Sequence, residues 1–194
     1  MNQLSNPLQN IIDEASKKAA SSEIKEISRR HSYKSNNTDK RFILADISGS
    51  MGESVGSVTK YDLLKKALGD PIIDWTSQQL ISFNSFPEST TPATLPLPSA
   101  NTALHRAIDY ILPEKPSFTL IITDGQPDDE QAALDAADKL TGIIDVLFIG
   151  KDNDVDAIAF LKKLSARNGG KIFVRDLQKT KSLPASALQK LLSR

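Results

Sequence analysis

The sequence predicts an α/β protein with a mostly parallel sheet covered by helices on both faces. Three observations predict it. Short apolar runs alternate with segments of helical period along most of the 194-residue chain, as in βαβ units. The runs are nearly continuous in apolar residues (Phe118, Leu120, Ile121 and Ile122 in the clearest case), as strands buried on both faces are. Two of them end in a carboxylate, Asp46 and Asp124, and parallel sheets bind ligands beyond the carboxyl ends of their strands, where the strand order reverses.

The elements follow in order. Leu4, Leu8, Ile11, Ile12, Ala15 and Ala19 recur at helical spacing, and Ile24 and Ile27 continue the pattern after Ser21-Ser22. Residues 4–30 therefore read as helix, packed on its own domain or held out as a partner-binding arm. Residues 32–40 are polar and without period, a linker. A strand over 41–46 opens the core pattern. A helical stretch over 61–75 carries Leu63, Leu64, Ala67 and Leu68, with Pro71 breaking or restarting it. Residues 79–83 are a strand. Residues 85–101, rich in Ser, Thr and Pro, are loop with room for one short edge strand. A helix over 102–112 stops before Pro113, and a strand follows over 117–123. Helix over 128–140, strand over 143–149, helix over 155–168 ending at Gly169-Gly170, strand over 171–174 and helix over 183–192 complete the chain. No internal repeat is seen. The expected divisions are an N-terminal extension and linker over 1–38, a core domain over 39–178 and a C-terminal helix over 179–194.

Composition narrows the functional classes. Hydrophobic residues make up 39% and charged residues 25%, an ordinary globular balance. Lys+Arg and Asp+Glu are equal at 24 each, so no global field draws in nucleic acid or a membrane surface. There is no cysteine, which removes disulfides, thiolate metal sites and a cysteine nucleophile. No apolar run approaches the roughly 20 residues of a membrane span. The first ten residues lack the basic start and apolar core of a secretory signal. The expected compartment is the cytoplasm.

Chemistry concentrates in three segments. In Asp46-Ile47-Ser48-Gly49-Ser50 a carboxylate leaves the strand, and the following turn, eased by Gly49 and Gly52, brings two hydroxyls toward the same point. Thr102 opens a helical stretch, and Asp124-Gly125 follows the strongest strand. Asp46, Ser48, Ser50, Thr102 and Asp124 together offer oxygen donors only, with two formal negative charges. That set suits a small hard divalent cation such as Mg2+, with the aspartates bonded directly or through water and one position left for an incoming Asp or Glu carboxylate. No bidentate Glu is offered for a calcium cage and no His or Cys for zinc. Taken singly, each residue has a plainer use: Ser48 and Ser50 in a turn, Thr102 as a helix cap, Asp124-Gly125 as a turn pair. The combination, in order and at strand ends, favours the metal.

Other chemistries fit less well. The glycine-rich stretch after the first strand lacks Gly-x-Gly-x-x-Gly and the Gly-Lys-Ser/Thr of a P-loop, and the second strand runs into Asn84 where a ribose-binding acid would stand. A magnesium-dependent hydrolase or phosphatase using Asp46, Ser48 or Ser50 is the rival enzyme reading. It lacks the Gly-x-Ser-x-Gly elbow, and Ser48 stands where a phosphatase-like second Asp is wanted. His105 reads as an ordinary helix residue and His31 as solvated. Asp152, Asp154 and Asp156 alternate without the glycine and later Glu of a calcium loop, so they read as helix caps.

The motifs resemble those of a known family. Asp46-Ile47-Ser48-Gly49-Ser50-Met51-Gly52 is similar to the first segment of the metal-ion-dependent adhesion site of von Willebrand factor type A (vWA) domains. Thr102 with Ala107-Ile108 is similar to the second, and Thr123-Asp124-Gly125-Gln126-Pro127 to the third, Thr-Asp-Gly-x-Pro. The similarity spans roughly residues 39–178. It implies a Rossmann-like fold, bound Mg2+ or Mn2+, and a protein ligand offering an acidic side chain. The chain departs from the pattern at Ala100-Asn101, where family members often carry a glycine pair. Its size and lack of cysteine look more like intracellular bacterial members than secreted adhesion proteins. The expected function is a metal-dependent protein-interaction module, not an enzyme, with a scaffold bearing a dead site as the third reading.

Overall fold

Phe42 and Leu44 face one side of the first strand and Ile43 and Ala45 the other, and all four are buried. A strand apolar on both faces can only be central, and in the computed structural model, which describes residues 39–193, it lies in the middle of a six-stranded sheet. The strands are β1 (Arg41–Asp46), β4 (Gln78–Phe83), β5 (Pro87–Thr90), β6 (Phe118–Thr123), β7 (Ile143–Phe148) and β8 (Ile172–Val174). A separate two-stranded hairpin pairs β2 (Ser54–Val55) with β3 (Val58–Thr59). The large sheet runs β5-β4-β1-β6-β7-β8. All its pairings are parallel except β4 with β5. The chain leaves β1 toward β4 on one side and later returns to β6 on the other. The strand order thus reverses at β1, and the carboxyl ends of β1 and β6 flank that reversal.

Period-two alternation sorts the side chains into two cores. On one face, Ile43, Ala45, Leu80, Leu120 and Ile122 meet α1 (Lys60–Leu68) and α6 (Ala185–Leu192). On the other, Phe42, Leu44, Ile81, Phe83, Ile121, Val146 and Phe148 meet α2 (Leu104–Ile111), α3 (Glu130–Ala137) and α4 (Val155–Arg167). A four-residue helix, α5 (Leu177–Thr180), links β8 to the last segment.

Several expected boundaries move for local reasons. The helix expected over 61–75 ends at Leu68 with Gly69 as its C-cap, so Pro71 lies beyond it. The helix expected from Thr102 begins at Leu104 and is capped by Ala103 without a side-chain bond. The helix expected over 128–140 spans Glu130–Ala137 because the Asp129 side chain accepts from Ala132 N and fixes the start there. Asp154 caps α4 in the same way, accepting from Ala157 N at 3.1 Å. The expected helix over 4–30 lies outside the described residues.

The C-terminal helix belongs to the core. Leu188 is fully buried in the cluster shared with α1, and the Arg41 guanidinium donates to Leu192 O at 2.7 Å. Leu188→Ala should therefore cost about 2–5 kcal/mol in equilibrium urea unfolding. A loss under about 1 kcal/mol would mark the helix as a loose appendage instead.

Candidate metal centre

Asp46 is the last residue of β1 and is wholly buried. Its two oxygens are both engaged: Oδ1 accepts from Ser48 N at 2.7 Å, and Oδ2 accepts from Thr123 Oγ1 at 2.6 Å. The first bond curls the loop back on the strand end, and the second ties β1 to the end of β6. Thr123 Oγ1 in turn accepts from Gly125 N at 3.3 Å, so one hydroxyl orients both the carboxylate of the first segment and the turn of the third.

Beyond Ser48 the chain makes a 3-10 turn, Gly49–Gly52, pinned by the fully buried Met51. That turn leaves Ser50 exposed above the buried Ser48. Ser50 Oγ donates to Asp124 Oδ1 at 2.8 Å and lies 3.1 Å from Ser48 Oγ. A hydroxyl has one proton, so Ser48 must be the donor between the two serines. Asp46, Ser48, Ser50 and Asp124 thus form one cluster at the carboxyl ends of β1 and β6. Asp124 is held from behind by β7: a Cβ built on Gly150 would lie 2.4 Å from Asp124 O, so only glycine allows that approach.

Thr102 comes to the same end of the sheet by backbone contacts. Its N–H donates to Asp128 Oδ2 at 3.0 Å, and its carbonyl accepts from Asp128 N at 3.1 Å, joining the second segment to the third. Ala100 O accepts from Gly49 N at 3.1 Å, joining the second segment to the first. The Thr102 hydroxyl caps nothing and has no hydrogen-bond partner among the described residues. No side-chain bond links it to the Asp46-Ser48-Ser50-Asp124 cluster. Ala100 has a left-handed φ of 60°, a conformation that strains a non-glycine residue by about 1 kcal/mol or more. This is the place where the resembled family often has glycine, so the turn keeps its shape here at a cost in backbone strain.

Three partners of the site were not singled out in the sequence. Thr123 sits within the Thr-Asp-Gly motif and could have been found there. Asp128 follows it closely. Lys60 offered no signal: it is ten positions beyond Ser50, at the start of α1. The β2–β3 hairpin folds back so that Lys60 N donates to Glu53 O at 3.1 Å. Its Nζ then reaches Asp124 Oδ2 at 2.6 Å, Glu53 Oε2 at 2.7 Å and Ser50 O at 3.4 Å. Burial works against this ammonium, but the bonds to Asp124 and Glu53 outweigh it and leave the Lys60 pKa above its ordinary value.

Burial pushes the Asp46 pKa up to about 6; the Thr123 hydrogen bond opposes this, the Asp124 charge adds to it, and the Ser48 bonds oppose it. A native pKa above the unfolded one means that the folded state holds its proton longer. Stability from this group therefore falls as pH rises from about 4 to about 6 and stays low above. At neutral pH the ionised Asp46 costs the fold on the order of 3 kcal/mol.

The donor set fits a hard divalent ion. Among the described residues no group of three or more His, Cys, Asp or Glu gathers to hold a metal, which argues against a zinc site or an all-carboxylate cage. Two hydroxyls with two carboxylates leave room for water and for a further oxygen ligand, as Mg2+ prefers.

No protein-family model matches the chain, and no curated protein sequence matches it. Its fold is similar to that of an aerotolerance-related membrane protein from Bacteroides fragilis, with a TM-score of 0.55 at 14% identity over 79% of this chain and 98% of that one. It is also similar to the manganese-loaded TRAP protein of Plasmodium vivax, with a TM-score of 0.53 at 16% identity over 74% of this chain and 71% of that one. At these identities the likeness concerns the fold, and the fold is that of a vWA domain.

In a chelating buffer, Asp46→Asn should raise stability by roughly 1–3 kcal/mol at pH 7.5. The gain should shrink as pH falls through about 6 toward 4 and vanish below about pH 3, where Asp46 is protonated in both states. Urea midpoints across that pH range measure it; a gain that does not change with pH would contradict the assignment.

Proposed function

We propose that this vWA fold is a divalent-cation-dependent protein-interaction module. The observation that carries the reading is the joining of Asp46, Ser48, Ser50 and Asp124 in one hydrogen-bonded cluster at the strand-order reversal. Ser48, Ser50 and Asp124 would hold Mg2+ or Mn2+, Thr102 would add its unpartnered hydroxyl, and Asp46 would supply charge from beneath. A metal bound mostly by neutral hydroxyls and water stays electron-poor and attracts an outside carboxylate. The ligand is accordingly a protein presenting an Asp or Glu side chain. The manganese-loaded state of the Plasmodium TRAP protein lends support by analogy of fold.

Binding is favoured over turnover by the proton arrangement. The Ser50 proton goes to Asp124, and the other Asp124 oxygen is taken by Lys60. Ser48 donates only to another hydroxyl, and the carboxylate that accepts from Ser50 is ion-paired with Lys60, so neither serine shows the separate general base of an activated nucleophile. The absence of cysteine supports a reducing compartment, and the cytoplasm is the proposed location. No described helix is long and apolar enough to cross a membrane.

Metal supplied at about ten times its dissociation constant should stabilise the protein by roughly 1.4 kcal/mol, about 3 to 6 °C in Tm for a chain of this size. The Asp46→Ala/Asp124→Ala double variant should lose that shift while staying folded. Equal shifts in both proteins would move the cation elsewhere. Capture from native lysate should retain a partner in Mg2+, release it in EDTA and fail with the double variant. Retention that ignores EDTA would favour the scaffold reading, and phosphoester turnover abolished by Asp46→Ala would favour the enzyme.

A further inference from the structure

Lys60 is more than a neighbour of the site. It is buried, and its three nearest acceptors are Asp124 Oδ2 at 2.6 Å, Glu53 Oε2 at 2.7 Å and Ser50 O at 3.4 Å. An ammonium has three donors, so these contacts use all of them. Two of the three acceptors belong to residues assigned above to the cation, and the third, Glu53, has a side chain 62% exposed. Lys60 is also the first residue of α1, where the helix dipole disfavours a positive charge. Helix stability therefore does not explain a cation here, whereas compensation of Asp124 does.

An inner cation and an added one compete for the same carboxylate. Asp124 already spends Oδ1 on Ser50 and Oδ2 on Lys60. A divalent ion bonded to Ser50 and Asp124 would come within a few ångströms of the ammonium. Repulsion between a double and a single positive charge at such a distance is large even at a dielectric typical of protein surfaces. Glu53, already bonded to the ammonium at 2.7 Å, can keep it when Asp124 is released, and its exposure lets it follow a shift of the lysine.

Resting on the metal reading above, we propose that Lys60 is a built-in competitor for the divalent cation, weakening metal binding by neutralising Asp124 and giving up Asp124 while keeping Glu53 when the metal loads. The site then behaves as conditional: it fills when metal and an acidic ligand together outweigh the internal lysine. By reciprocity, whatever Lys60 takes from metal affinity, metal takes from the Lys60–Asp124 contact.

The test is direct Mn2+ binding, followed by the electron paramagnetic resonance of free Mn2+, to the wild-type chain, Lys60→Met and Asp46→Ala. Lys60→Met should bind at least about tenfold tighter than wild type, and Asp46→Ala should bind weakly or not at all. Equal or weaker binding by Lys60→Met, with wild-type binding still dependent on Asp46, overturns the competitor role and leaves the metal site standing. Absence of Asp46-dependent binding in every protein overturns both. A second measurement needs no substitution at Lys60, in case Lys60→Met does not fold. Acylation of Lys60, read by mass spectrometry, should quicken when Mg2+ is added and stay unchanged in Asp46→Ala; an Mg2+-independent rate in wild type overturns the proposal.

Discussion

A carboxylate with no solvent exposure, ending the central strand, is the constraint around which this end of the molecule is organised. Asp46 is buried, and an ionised carboxylate in that position must be compensated. The Thr123 hydroxyl and the Ser48 amide do part of this. Doing so, they fix the end of β6 against β1 and set the curl of the Ser48–Ser50 turn. The second carboxylate, Asp124, adds to the strain on the first and is itself neutralised by Lys60. Two acids brought this close make the fold less stable than it need be, which is the usual mark of a site retained for binding.

The scaffold that holds them is rigid for ordinary reasons. Strands apolar on both faces lie between two layers of helices, and β1 is paired on both sides in register. The loops at its carboxyl end are in turn braced by one another, through Gly49 N to Ala100 O and through the reciprocal bonds of Thr102 and Asp128. Groups anchored this way lose little entropy when a ligand arrives.

Much of this was legible in the sequence. The alternation of apolar runs and helical periods gave the parallel sheet, because strands buried on both faces leave a signal that no surface element imitates. The carboxylates at the ends of β1 and β6 were readable for the same reason: a charged residue closing an apolar run stands out. What was not legible depended on the chain folding back. Lys60 reaches Asp124 only because the short β2–β3 hairpin reverses direction, and strands of two residues carry no periodicity. Thr102 looked like a helix cap, yet α2 begins two residues later, because the Thr102 carbonyl and amide are committed to Asp128. The strained φ of Ala100 could not be read at all, since sequence marks left-handed positions chiefly through glycine and asparagine.

The central claim is that the oxygens of Asp46, Ser48, Ser50, Thr102 and Asp124 serve one divalent ion. The most direct measurement is a manganese anomalous difference map from crystals grown in excess Mn2+. The account predicts a single strong peak at the carboxyl ends of β1 and β6, within bonding distance of the Ser48 and Ser50 hydroxyls. A map with no peak there, with Lys60 still seated on Asp124 at saturating metal, would contradict it.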